Sequence, residues 1–245
     1  MAEYLIQDTT LTGIADAIRE KTGGTDPVAV SDMAAQIEGI QAGGGGDDVL
    51  NTLIDRSITE ISSSSVTSIG GSAFRSCGAL TTVDFPVATS IGASAFEDCG
   101  ALTTVDFPVA TSIRSAAFRS CSALTTVDFP VATSIWDSAF YSCDALTTVD
   151  FPVATSIRSA AFRSCSKLKS LLLRNNKVCT LSNTNVFVST PISSGTGYIY
   201  VPSELIEQYK EATNWSIYSA QFRALEDYTV DGTITGELDP AKTGT

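Results

Sequence analysis

The side chains in this 245-residue chain that could do chemistry are six cysteines, a set of evenly spaced aspartates, and one Trp and one Tyr placed among arginines. Cys77, Cys99, Cys121, Cys143 and Cys165 are 22 residues apart. Such a column could act as a thiolate ladder for a metal or for redox work, or simply pack as small hydrophobes. The same interval separates Ile69, Ile91, Ile113, Ile135 and Ile157, and Phe74, Phe96, Phe118, Phe140 and Phe162. The cysteines therefore belong to a repeat, which favours a buried column of reduced thiols. Asp84, Asp106, Asp128 and Asp150 recur at that interval too. Stacked about 5 Å apart in water, neighbours cost about 0.8 kcal/mol, which favours a hydrated stripe over a bound divalent cation. Glu97 with Asp98, or Asp137 with Asp144, could pose as a general-acid and general-base pair. All four sit at outward positions of a repeated motif with no evident cleft. The chain has no His, which removes the commonest general base and every imidazole triad. With 27 acidic against 15 basic residues, the formal charge of −12 repels nucleic-acid phosphate. The expectation is a protein without enzymatic activity, cofactor or nucleic-acid partner.

Two smaller motifs carry no chemistry. Gly43 to Gly46 lack the Lys-Ser or Lys-Thr of a phosphate loop and precede Asp47-Asp48, so they read as a linker. Asn214-Trp215-Ser216 has the form of a glycosylation sequon and is read as mere sequence.

The differences between repeats say more. In the units beginning at 70, 92, 114 and 136, sixteen of twenty-two columns are identical, and the six that vary are unit positions 1, 2, 3, 6, 7 and 9. The first column reads Gly70, Gly92, Arg114, Trp136, Arg158; the sixth reads Arg75, Glu97, Arg119, Tyr141, Arg163. Trp, Tyr and Arg are the side chains most enriched at interface hot spots. The candidate ligand-binding set is therefore Arg114, Arg119, Trp136, Asp137, Tyr141, Asp144, Arg158 and Arg163. Trp136 and Tyr141 are expected to emerge as one exposed patch, framed by the arginines, with Asp137 and Asp144 as nearby acceptors. The competing reading has Arg114 and Arg158 merely stacked on Trp136, worth under about 1 kcal/mol each at an exposed site.

These columns need elements to position them. One unit, LTTVDFPVATSIGASAFEDCGA from Leu80, places Leu80, Val83 and Phe85 in an L-x-x-L-x-L arrangement closed by Pro86. Val83 should point inward from a short strand, with Thr82 and Asp84 outward, and Pro86 should end it. One strand per repeat, stacked at about 4.8 Å, builds a parallel sheet over a continuous spine. The S-A-F-x-x-C segment should be a tight turn or a single helical turn. The pattern A-F-x-x-C-x-x-L-x-x-V-x-F-P, as in Ala95 through Pro108, resembles the BspA-like, Treponema-type leucine-rich repeat over roughly residues 53 to 202. The expected fold is an α/β repeat solenoid of 22-residue leucine-rich repeats with capped ends. Residues 49–69 would form the N-terminal cap, 70–179 the repeats, with Cys179 in the column of Ile157, and 180–245 the C-terminal cap and tail. In that cap Ser203 would start a helix as its N-cap.

Upstream, Leu11, Ile14, Ala15 and Ile18 make one amphipathic stripe, and Met33, Ile37 and Ile40 make a second after Ser31. Helices this short need a partner, so residues 1–41 read as a docking or oligomerisation segment and 42–48 as its Gly-rich linker. The segment EYLIQDTTLTGIADAIREKTGGTDPVAVSDMAAQIEGI resembles the leader of tail-fibre-like proteins of Firmicutes phages and prophages. That resemblance implies a phage or prophage tail-associated receptor-binding protein in the virion tail. It would dock on a tail or baseplate protein, form a homo-oligomer (a trimer by analogy with tail fibres), and face a host-cell surface receptor, protein or glycan. The alternative is a bacterial BspA-like cell-surface adhesin binding host protein or matrix. MAEYLIQDTT has no basic start before an apolar stretch, so neither a secretory signal nor a membrane span is expected.

Overall fold

The computed structural model describes residues 59–228. The N-terminal helical stripes and the glycine linker lie outside the described residues.

Thr-Val-Asp and Ser-Ile form separate strands in every repeat, so each repeat carries two strands instead of the expected one. Strands β1 (Glu60–Ser62), β3 (Thr82–Asp84), β5 (Thr104–Asp106) and β7 (Thr126–Asp128) make one sheet. Strands β2 (Ser68–Ile69), β4 (Ser90–Ile91), β6 (Ser112–Ile113), β8 (Ser134–Ile135), β10 (Ser156–Ile157) and β12 (Thr180–Leu181) make a second. A third contains β9 (Thr148–Phe151), β11 (Ser170–Leu173), β13 (Tyr198–Val201) and β14 (Phe222–Ala224). All pairings are parallel and join equivalent residues, as in Val83 with Val105 and Val105 with Val127. Inward Val and outward Thr and Asp alternate as the strand period requires.

The core is a set of columns in which each side chain packs on its own copy. Phe118 stacks on Phe96 at 5.3 Å and on Phe140 at 5.4 Å, with interplanar angles of 4° and 7°. A second phenylalanine column includes Phe107 over Phe129 at 5.6 Å. All six cysteines are buried and none forms a disulfide, and the column thiols do more than fill space. The Sγ–H of Cys99, Cys121, Cys143 and Cys165 each donate to the carbonyl of Phe74, Phe96, Phe118 and Phe140, at 3.0–3.1 Å. Small, buried and weakly donating, each Cys adds a second bond to a Phe carbonyl that already accepts a backbone amide. Burial pushes the Cys99 thiol up from 9.0 to about 12, with the neighbouring Cys77 adding to the shift.

The S-A-F-x-x-C segment is neither a helix nor a lone turn. Ser94 and Asp98 adopt φ of 55° and 62°, and the equivalent residues of the other repeats do the same. Their amides and that of Phe96 donate to Ser115, Ala117 and Arg119 of the next repeat, at 2.9, 2.8 and 2.8 Å. The turn segments therefore form a third hydrogen-bonded wall, held by left-handed positions that no glycine marks in the sequence. The corners carry threonine ladders. Thr125 Oγ1 donates to the Thr103 carbonyl at 3.1 Å, and Thr133 Oγ1 to that of Thr111 at 3.3 Å. These bonds give the exposed threonines of both columns a reason not to vary.

At the C-terminal end the 22-residue arithmetic slips. Leu181, not Cys179, pairs in register with Ile157. Cys179 is buried below the cap, where its N–H donates to the Tyr209 hydroxyl (2.9 Å) and its carbonyl accepts from Trp215 Nε1 (2.6 Å). Phe187 extends the phenylalanine column from Phe162 at 5.9 Å, and Trp215 closes it at 6.1 Å. Two helices, α1 (Pro191–Ser194) and α2 (Ile206–Glu211), accompany β13 and β14. Ser203 does not cap α2. It opens a 3-10 turn over Ser203–Leu205, and its hydroxyl donates to Glu226 at 3.1 Å.

Candidate functional site

All six variable columns fall on the turn wall, and both strand walls of the four compared repeats are invariant. The wall's backbone ladder holds position 6 of each repeat beside position 6 of the next, and position 1 beside position 1.

In the sixth column unlike groups alternate. Glu97, 7% exposed, lies between Arg75 and Arg119, with ion-pair distances of 3.3 and 3.7 Å. The Arg119 guanidinium also stands over the Tyr141 ring at 5.2 Å. Arg163 follows, exposed and without an ion pair among the described residues. In the first column a side chain at Gly92 would meet the Gly71 backbone nitrogen at 2.5 Å, so side chains begin only at Arg114. Arg114 of the preceding repeat and Arg158 of the following one stand over Trp136, at 5.2 and 4.0 Å from its centroid. Asp137 faces Arg158 at 4.0 Å and accepts from the Ser159 amide at 3.2 Å.

Trp136 is thus half-buried between guanidiniums and not freely exposed as its residue type suggested. No ring contact joins it to half-buried Tyr141, so the two aromatics belong to separate stacks. Asp144 stays apart from both, exposed and accepting from the Ser166 hydroxyl at 3.3 Å. The sequence-based set omitted Arg75 and Glu97, although the Arg-Glu-Arg alternation at 22-residue spacing was there to be read.

The strand wall offers a different surface. Asp84, Asp106 and Asp128 pair in register, and Asp150 is held by Arg174, whose Nη2 donates at 2.8 Å. Among the described residues no group of three or more His, Cys, Asp or Glu side chains is placed to hold a metal ion. Nor, among them, is any helix long and apolar enough to cross a membrane.

The sequence pattern of the BspA type leucine rich repeat region matches in six copies, over residues 54–169 and 89–212. The chain belongs to the BspA-type leucine-rich repeat family. No curated protein matches it. Among solved structures, a leucine-rich repeat protein from Bacteroides ovatus is 23% identical with a TM-score of 0.54, covering 68% of this chain and 42% of its own. The T. pallidum leucine rich repeat protein is 30% identical with a TM-score of 0.47, covering 48% and 60%. A leucine rich cell surface protein from Faecalibacterium prausnitzii is 16% identical with a TM-score of 0.33, covering 70% and 64%. The chain spans less than two thirds of the length of each. The B. ovatus likeness shows the fold: a BspA-type α/β repeat solenoid of stacked parallel strands.

Proposed function

We propose that this BspA-type protein is a non-enzymatic adhesin whose turn wall binds a receptor on a host-cell surface. The observation that carries this reading is the confinement of repeat-to-repeat variation to one wall. Two walls are held constant by core packing and threonine ladders. The third bears Trp136, Tyr141 and the arginines around them, residue types that dominate interfaces. Specificity on such a scaffold is changed by altering side chains without touching the core.

The test is binding of the full chain to candidate host cells. The variant Arg114→Ala/Trp136→Ala/Arg158→Ala should stay folded and lose binding, because the first column is occupied by Gly92 in an intact repeat. Full binding by a folded triple variant would overturn the reading.

A tail-associated form of the same role is supported only by the likeness of residues 3–40 to phage tail-fibre leaders. Under it, deleting residues 1–46 should abolish particle association and oligomerisation while leaving a folded monomer that still binds cells. Retention of oligomeric mass after that deletion would favour the cell-surface adhesin.

A further inference from the structure

Residues 70–166 contain five basic side chains, Arg75, Arg114, Arg119, Arg158 and Arg163, and every one stands in column 1 or column 6 of the turn wall. The same stretch has eight acidic residues, of which Asp84, Asp106, Asp128 and Asp150 project from the strand wall. On the turn wall Glu97 is buried between two arginines, Asp137 faces Arg158, and Asp98 and Asp144 are exposed. The strand face of the repeats thus carries four aspartates and no base, while the turn face carries all five arginines against four acids, within a chain of net charge −12.

The geometry decides what the guanidiniums can do. Arg158 and Arg114 take up the Trp136 ring at 4.0 and 5.2 Å, so a sugar could stack there only by displacing them. A stacked guanidinium uses its flat face and keeps its N–H edge for an anion, and the stack holds that edge in place. Arg114 and Arg158 are two repeats apart, about 10 Å at the usual strand spacing, and so are Arg119 and Arg163. The result is two parallel rows of regularly spaced cations. The large exposed hydrophobics among the described residues are Val87, Val109, Val131, Tyr198 and Ile217, none of them on this wall. The aromatic rings the wall does carry, Trp136 and Tyr141, are half-buried against guanidiniums, so it presents no fully exposed apolar anchor to a protein partner.

We infer that the turn wall is a site for an anionic polysaccharide, whose carboxylate or sulfate groups are held by the edges of Arg114, Arg119, Arg158 and Arg163. Trp136 and Tyr141 are positioning residues that fix the guanidiniums; they are not platforms for sugar rings. This inference rests on the reading of the turn wall as the binding face and names the ligand's chemistry.

The experiment measures the full chain against immobilised heparin (sulfate), hyaluronan (carboxylate alone), dextran (neutral) and poly-glutamate (acidic peptide). Heparin or hyaluronan should be retained and dextran should not. Affinity should fall about tenfold or more between 50 and 200 mM salt, as for other polyanions that release counterions. Arg114→Ala/Arg158→Ala should weaken binding at least tenfold and flatten the salt dependence. Trp136→Ala should weaken it with the salt slope unchanged, and Trp136→Phe should restore most of the loss, with melting temperatures confirming that each variant is folded. Equal retention on dextran, binding indifferent to salt, or tighter binding to poly-glutamate than to either charged glycan would overturn the inference. If turn-wall variants abolish cell binding while both charged glycans fail, the adhesin reading survives and the anionic ligand falls. If the glycans bind through the arginines but cells do not, the reverse holds.

Discussion

The strand half and the turn half of each repeat solve the same stacking problem in opposite ways. In the strand half like packs on like: Val83 on Val105, Thr125 on Thr103, Phe107 on Phe129. Such a column is satisfied by sequence identity, and any substitution leaves a mismatch above and below it. On the outer face of the turn half unlike packs on unlike: Glu97 between two arginines, Trp136 between two guanidiniums. Charged side chains that repeated identically there would repel. The aspartate column is the exception on the strand wall, and at its end Arg174 neutralises Asp150. Invariance thus marks where the solenoid is built, and variation where it is free to present something.

Alkaline pH should weaken the packed interior most strongly. Burial raises Cys99 and Cys179 from 9.0 to about 12. The unfolded chain then releases these protons before the folded one does, so the stability they contribute is fully present below pH 9 and lost between 9 and 12. The expected loss is about 1.4 kcal/mol per pH unit for each thiol. Urea midpoints at pH 7, 9 and 10.5 would check this, and unchanged stability at the highest pH would place the thiols outside the core.

A single break in a like-on-like column comes next. Phe118→Ala removes both stacked contacts of a fully buried ring and should cost about 3–5 kcal/mol by denaturant unfolding. Trp136→Ala, in an unlike stack on the outer face of the turn wall, should cost no more than about 1–2 kcal/mol, the value of its two guanidinium contacts. Comparable losses would mean that the turn wall, too, is structural. The smallest effect should come from the corner. Thr125→Ala deletes one exposed side-chain hydrogen bond and should lower stability by about 0.5–1 kcal/mol in the same assay.

The sequence reveals whatever recurs with a simple period. The 22-residue spacing of Phe, Ile and Cys exposes the stacked core, and alternation around Val83 exposes the Thr-Val-Asp strand. The Ser-Ile strand is two residues long and leaves no alternation to read. The third wall depends on Ser94 and Asp98 in left-handed conformations, where a sequence reader looks for glycine. The irregular spacing after Leu173 puts Leu181 in the column that counting assigns to Cys179. For the candidate site, repeat-to-repeat variation singles out the columns of the turn wall. It does not reveal that Trp136 is sandwiched, because that depends on which neighbours the unlike stacks bring together.

The most direct test compares one substitution from each half in a single binding assay. Affinity of the full chain for host cells should fall by roughly 2 kcal/mol in Trp136→Ala, on the hot-spot scale. It should be unchanged in Thr126→Ala, an exposed strand-wall position. Loss of binding in Thr126→Ala with none in Trp136→Ala would put the ligand on the invariant strand wall and contradict the account.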